Sequence, residues 1–365
     1  MSKLKVAMIC GSYPPDRDGV GDYTSILVDG LNKSGIEVIF LTSKKKNLNE
    51  SEHLIFSNWN FWTIVRTLIL LKNRGIKLIH IQYPSNFGRK ISINLIPIFV
   101  RLFLPSLKVL FTIHEYSSFS FLGKIRILLS IIFSQRIIIP EKKNIIEIAK
   151  LSPSLKKRIT YIPIGSNIRP KEGKSFYSLT DEIIIGYFGI IRPKKGIENL
   201  LESFIYLNDE RINLLIIGEI DERNRYHKKI KKLIDDYGLI ERVKITGYCN
   251  EDEVRYHLLR TDLMVLPFPE GVSERRGTFL AAVTHGVPVI TTKSNTIPEG
   301  LKDGENIKLI EPGISKVLAE AIMELIRNDE LRRSIGLNGL KWSQRFTWQK
   351  ILESHISIYF SLIKN

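Results

Sequence analysis

The chain has 365 residues, 44% hydrophobic and 25% charged, which is material for two globular domains with real cores. Its two cysteines, Cys10 and Cys249, stand far apart in no metal-like spacing; this argues against a disulfide framework or a cysteine-built zinc site and for a reducing cytosol. The formal net charge is +16, and residues 1–168 carry nearly all of it, with 24 Lys and Arg against 10 Asp and Glu.

In chain order, "KVAMIC" opens the first half as a strand with no signal peptide ahead of it, so a cytoplasmic chain is expected. The loop "GSYPPDRDGVGDYTSILVDGL" follows. Pro14 and Pro15 stiffen its exit, and Gly19 and Gly21 precede a helix expected to begin near Asp22. Such glycines permit positive φ and close ligand approach, and the helix start offers free amides to an anion, although a plain strand-to-helix turn has the same pattern. "IEVIFLT", "KLIHIQY", "LKVLFTI" and "QRIIIP" are the next predicted strands. From His53 to Pro140 the only acid is Glu115, against 11 Lys and Arg set among Ile, Leu and Phe. Arg66, Arg101 and Arg126 interrupt every candidate for a spanning helix. The mixture, which includes Arg89 and Lys90, suits an anionic membrane surface better than a nucleic-acid groove, with compositional drift as the alternative. His114 and Glu115 end a strand in "FTIHEYSSF", whereas His80 reads as a core histidine, and the remaining histidines read as structural or exposed.

A stretch rich in Gly, Ser, Pro and charge, residues 164–182, marks the join of two domains. The second half repeats the pattern with "DEIIIGYFG", "INLLIIGE", "RVKITGY", "DLMVLPF" and "VPVITT". Near-continuous apolar strands between amphipathic helices predict parallel sheets covered on both faces, hence two Rossmann-like domains. Ligands of such sheets sit beyond the carboxyl ends of the strands. In "GYFGIIRPKKGIENLLESF", Arg192 and Lys195 flank a strand-to-helix turn, where cations suit a diphosphate; Lys194 reads equally well as solvated surface. In "EGVSERRGTFLAAVTHGVPVITT", Ser273 is expected to cap a helix starting near Gly277. That would leave the amides of Gly277, Thr278 and Phe279 toward an anion, with Gly286 closing the helix. Tyr248, at another strand end, is placed near a nucleotide base or in ordinary packing.

These blocks, together with "IHIQYP", "LIIGE", "ITGYCNEDEV" and the terminal "FTWQKI", occur in an order and spacing that resembles the retaining GT-B glycosyltransferases of the family-4 group (glycosyl transferases group 1). The resemblance implies an α/β chain of two Rossmann-like domains facing across a cleft. It divides into an acceptor-binding domain at 1–166, a linker at 167–182, a nucleotide-sugar domain at 183–345 and a helix at 346–365 returning to the first domain. It further implies sugar transfer from a UDP- or GDP-sugar to a glycan or lipid-linked acceptor in surface polysaccharide or glycolipid synthesis. Retention of configuration would need no metal and no cofactor beyond the donor, with Arg192, Lys195 and helix-end amides stabilising the leaving diphosphate. His114 would lie against the transferred sugar, Glu274 would contact that sugar, and Tyr13, Asp22 and Glu115 would lie on the acceptor side. Gly19, Gly21, Tyr248, Ser273, Gly277, Thr278 and Phe279 complete the donor set. Two positions depart from the family pattern: Ala281 replaces a glutamate that commonly bonds ribose, and Ile190 replaces an arginine, for which Arg192 substitutes. A nucleotide-sugar 2-epimerase of the same fold and a non-catalytic lipid- or nucleic-acid-binding protein are the alternatives; nucleic acid is not an expected partner.

Overall fold

The computed structural model describes residues 4–16, 18–42, 53–55, 59–85, 87, 92–170 and 182–364. The core of the expected linker, 171–181, and the cations Arg89 and Lys90 lie outside the described residues. The chain divides into two compact units, Met1–Gly165 with Trp348–Asn365 and Ser166–Thr347.

The first unit is built on seven strands: β1 (Lys5–Ile9), β2 (Glu37–Thr42), β3 (His53–Ile55), β4 (Leu78–Tyr83), β5 (Lys108–Ile113), β6 (Arg136–Ile139) and β7 (Ile159–Tyr161). They pair in the order β3-β2-β1-β4-β5-β6-β7, every pair parallel. The sheet is covered on both faces, which is why its inner strands are apolar at almost every position. One face packs Ile79, Val109 and Phe111 against Leu68, Val100 and Ile131, from the helices Phe61–Asn73, Ser92–Phe103 and Phe121–Phe133. The other face packs Met8, Phe40 and Leu110 against Leu27 of the helix Gly19–Lys33 and Tyr359 of the helix Trp348–Lys364. That last helix buries Ile351, His355, Ile358, Tyr359 and Leu362, a stripe at helical spacing. It lies close over Gly30, where an added methyl group would stand 2.5 Å from Leu352 Cδ1.

The second unit holds β8 (Ile183–Phe188), β9 (Ile212–Ile217), β10 (Val243–Ile245), β11 (Leu263–Leu266), β12 (Val289–Thr292) and β13 (Lys308–Ile310). Their order is β10-β9-β8-β11-β12-β13, again all parallel. In both sheets the chain first builds outward in one direction and then returns to the other side of its first strand. The reversal falls between β1 and β4 in the first unit and between β8 and β11 in the second. The carboxyl ends of those strand pairs are the place where doubly wound sheets bind ligands. Among the described residues no helix is long and apolar enough to cross a membrane.

Candidate functional site

At the second unit's reversal point, the loop after β8 meets the loop after β11. Gly196 sits between them with φ +79°, and an added methyl would lie 1.9 Å from Pro267 O. Only glycine accepts both the left-handed backbone and that approach. Gly196→Ala should therefore destabilise the unit by about 2–5 kcal/mol, through the left-handed penalty plus overpacking. A thermal melt within one degree of wild type would contradict this.

The close approach gathers cations. Phe268 has the Arg276 guanidinium 4.0 Å and the Lys195 ammonium 5.8 Å from its ring centre. Burial, then Arg192 and Arg276 and to a lesser degree Arg275, push the Lys195 pKa down to about 8, with Glu270 opposing. Crowded positive charges disfavour one another and make a site that an anion would stabilise. Arg276 is held by donation from Nε to Gly271 O (3.0 Å) and by an ion pair to Glu270 (3.4 Å). His227 steadies the other loop: its Nδ1 accepts from the Asp221 amide (2.8 Å), and its Nε2 donates to Ile191 O (2.7 Å), next to Arg192.

The helix Gly277–Thr284 begins beside this cluster, with the Cβ position of Gly189 3.1 Å from Thr278 Cγ2. Its N-cap is Arg276, which makes no side-chain cap bond. The expected cap by Ser273 is therefore corrected: Ser273 Oγ is buried with no hydrogen-bond partner, and it is the Ser273 carbonyl that accepts, from the Arg276 amide. The turn of four residues places the hydroxyl away from the first helical amides, which are left to solvent or ligand. Phe279 turns its ring into the core against Trp342, so only its amide belongs to the site. Gly277 is exposed, Glu274 is buried in the same loop and Ala281 is fully buried. Gly286, at φ +72°, ends the helix. Tyr248 is exposed beyond the edge strand β10, two strands from β8. Lys194 is exposed at φ +65°.

At the first unit's reversal point the polarity is opposite. The helix starts at Gly19 rather than near Asp22, and Asp18 caps it by accepting from the Val20 amide. One of the amides expected to be free at this helix start is thus met by a carboxylate. Neither Gly19 nor Gly21 has positive φ; Gly21 instead allows close approach, since its Cβ position is 3.2 Å from the Ser12 backbone. Ser85, after β4, donates to Asp18 (3.3 Å) and accepts from the Ser12 amide (3.0 Å). Asp22 is half-buried, and burial followed by the Asp18 charge raises its pKa to about 6. Tyr13 packs its ring on Phe40 at 4.5 Å.

His114 follows β5 and is buried. Its Nε2 donates to Gln82 Oε1 (2.8 Å), whose amide nitrogen lies 3.2 Å from His80 Nε2. His80 in turn bonds Thr112 and Tyr359, each at 2.7 Å. Gln82 fixes the tautomer, leaving Nδ1 of His114 as the acceptor. Burial, then the nearby His355, holds the His114 pKa down to about 3, so the ring is neutral and able to accept a hydroxyl hydrogen bond. Glu115 is exposed, and the group that orients Nε2 is Gln82. Cys10 is buried beside Ser85, its thiol pKa raised by burial. Cys249 is half-buried and donates to Thr246.

The residues that sequence patterns missed are Arg276, Phe268 and Gln82. Arg276 was visible in "SERRGT", but nothing local told which of two adjacent arginines would fold onto the neighbouring aromatic.

Residues 169–342 match the family model described as Glycosyl transferases group 1. An uncharacterized glycosyltransferase of Methanocaldococcus jannaschii is 28% identical over 58% of this chain and 56% of its own length. A capsular polysaccharide biosynthesis glycosyltransferase of Staphylococcus aureus is 29% identical over 53% and 50%. The chain thus spans about half the length of the curated relatives it matches. Among solved structures, HepE of Anabaena in complex with UDP and glucose superposes with a TM-score of 0.75 at 17% identity, covering 98% of this chain and all of that one. Sucrose-phosphate synthase of Thermosynechococcus elongatus gives 0.74 at 20% identity over 99% and 100%. Residues 169–342, nearly all of the second unit, thus match the glycosyl transferases group 1 model, and the chain's two Rossmann-like units have the GT-B glycosyltransferase fold.

Proposed function

We propose that the protein is a metal-independent, retaining glycosyltransferase that takes a sugar from a UDP- or GDP-sugar and passes it to a glycan or lipid-linked acceptor in surface polysaccharide or glycolipid synthesis. The observation that carries this is the cluster of Arg192, Lys195, Arg275 and Arg276 beside the uncapped start of the helix Gly277–Thr284. Cations and amides preset around one crevice stabilise the charge that grows on a departing nucleoside diphosphate. The orphaned Ser273 hydroxyl is a buried polar group that a bound donor would satisfy. Glu274, in the same loop, is assigned to the sugar.

The first unit takes the neutral partners. Asp18 and Asp22 at its reversal point repel a diphosphate but accept from hydroxyl groups, and neutral His114 accepts from a sugar hydroxyl through Nδ1. No strong base is assigned, because the leaving diphosphate itself takes the acceptor proton on the face it departs from.

Incubation with UDP- and GDP-sugars, with and without added glycan or lipid acceptors, tests the proposal. Transfer requires acceptor; turnover of donor to an epimer without acceptor would instead identify an epimerase, and binding with no turnover a non-catalytic protein. Activity is expected to survive EDTA, since side chains and amides supply the positive charge. A strict requirement for Mg²⁺ or Mn²⁺ would overturn that part of the mechanism.

A further inference from the structure

We propose that the outer face of the three-helix layer on the first unit is a docking surface for anionic lipid bilayers. The helices Phe61–Asn73, Ser92–Phe103 and Phe121–Phe133 lie side by side over one face of the first sheet. A helix so placed normally turns polar residues outward. These do not: on Phe121–Phe133 the exposed stripe is Phe121, Ile125, Leu129 and Ile132, with Phe121 77% exposed.

The aromatic residues form a connected surface group. The Phe61 ring is 5.5 Å from Trp62 and 6.2 Å from Phe99, and Phe99 is 5.0 Å from Phe103. Trp62 is 70% and Phe103 64% exposed. An indole in the open, among other rings and aliphatic side chains, suits the headgroup boundary, where one edge is apolar and the other wet.

Charge selects the occupant. The three helices contain no Asp or Glu, while Arg66, Arg101 and Arg126 are exposed between the apolar residues. Single cations spread through an apolar layer can snorkel to phosphates over a plane, whereas a protein partner needs acids placed opposite each one. Anionic phospholipid is therefore the fitting surface, and each cation near it contributes about fivefold to partitioning. The inference rests on the first unit's packing alone, so its failure leaves the transfer proposal standing, and the reverse.

Co-sedimentation with vesicles of phosphatidylcholine alone, and of phosphatidylcholine with phosphatidylglycerol, is the test. Wild-type protein should pellet with the anionic vesicles at low salt, stay in solution with the neutral ones, and be released as salt rises. The charge variant Arg66→Glu/Arg101→Glu/Arg126→Glu should lose more than about a hundredfold in partitioning. The apolar variant Trp62→Ser/Phe103→Ser/Leu122→Ser should lose at least about tenfold with an unchanged melting temperature, since all three side chains are exposed. Tryptophan emission should shift to the blue on adding anionic vesicles, and that shift should vanish in Trp62→Phe. Equal recovery in the supernatant with both vesicle types would overturn the proposal. So would a wild-type dimer that the apolar variant makes monomeric while vesicle binding stays unchanged, since the face would then cover a second copy of the chain.

Discussion

Replacing Lys195 with Ala is expected to lower sugar transfer by about 10²–10³-fold, the usual cost of removing one preset donor of charge stabilisation. Arg192→Ala should do the same, while the circular dichroism spectrum and melting temperature remain those of wild type, because both side chains leave the core untouched. The loss should fall on kcat more than on donor KM, since charge accumulates on the diphosphate as the glycosidic bond breaks. Arg276→Ala should cost as much and also loosen its loop, which loses the bond to Gly271 O. Because Arg276 and Lys195 share the Phe268 ring, their double variant should fall short of the product of the singles. There is a pH signature as well. With a pKa lowered to about 8, the free enzyme's Lys195 loses its proton as pH rises through that value, so donor affinity should weaken above it. Lys195→Arg should flatten the profile. Wild-type rates in both alanine variants, with a donor in hand, would sink the assignment of the diphosphate to this cluster.

The inner strands were legible because burial on both faces makes a strand apolar at nearly every position, as in "IIIGYF" and "LMVL". The three strands that went unread, β3, β7 and β13, are three-residue strands on the outer margins of the sheets. There one side is unpaired, and residues such as Thr160 and Lys308 dilute the apolar signal. The C-terminal helix was visible as a periodic stripe at 351, 355, 358, 359 and 362; its packing over Gly30 was not, since a glycine inside a helix gives no hint of what lies on it.

At the site, the loops were legible and the contacts within them were not. Gly196 announced a turn, but its partner Pro267 is 71 residues away and joins it only because β8 and β11 are neighbours. Ser273 had the residue type of a cap and the wrong offset, so Arg276 took that position. Asp18 reads in sequence as one more loop residue, yet its carboxylate accepts from the Val20 amide at the helix start that the glycines suggested was open to phosphate. Gln82 looked like a strand residue; only the register of β4 beside β5 shows that it reaches His114.

Lowering the pH from 7 to 5 is expected to remove about 6 kcal/mol of stability from the first unit, a large share of the usual 5–15. His80, His114 and His355 are buried, and burial is the first cause that drives all three below their ordinary pKa, to about 3 for His114 and about 4 for His355. Folded, they stay neutral at pH 5; unfolded, each takes up a proton below about 6.5. The unfolded state then binds more protons, so stability falls as pH drops through 6.5 and goes on falling toward the folded pKa values. Each ring contributes about 2 kcal/mol to the loss at pH 5. Asp22 works the other way, since its raised pKa favours the folded state between 3.8 and about 6, but it is one half-buried group against three buried rings. His355, on the C-terminal helix, donates from Nδ1 to Ile351 O one turn back, and its Nε2 is buried without a partner. His355→Leu should therefore keep the fold at pH 7 and recover about a third of the acid loss. Urea titrations at pH 7 and pH 5 decide it, and equal losses in wild type and His355→Leu would show that proton uptake by these buried rings does not drive acid unfolding.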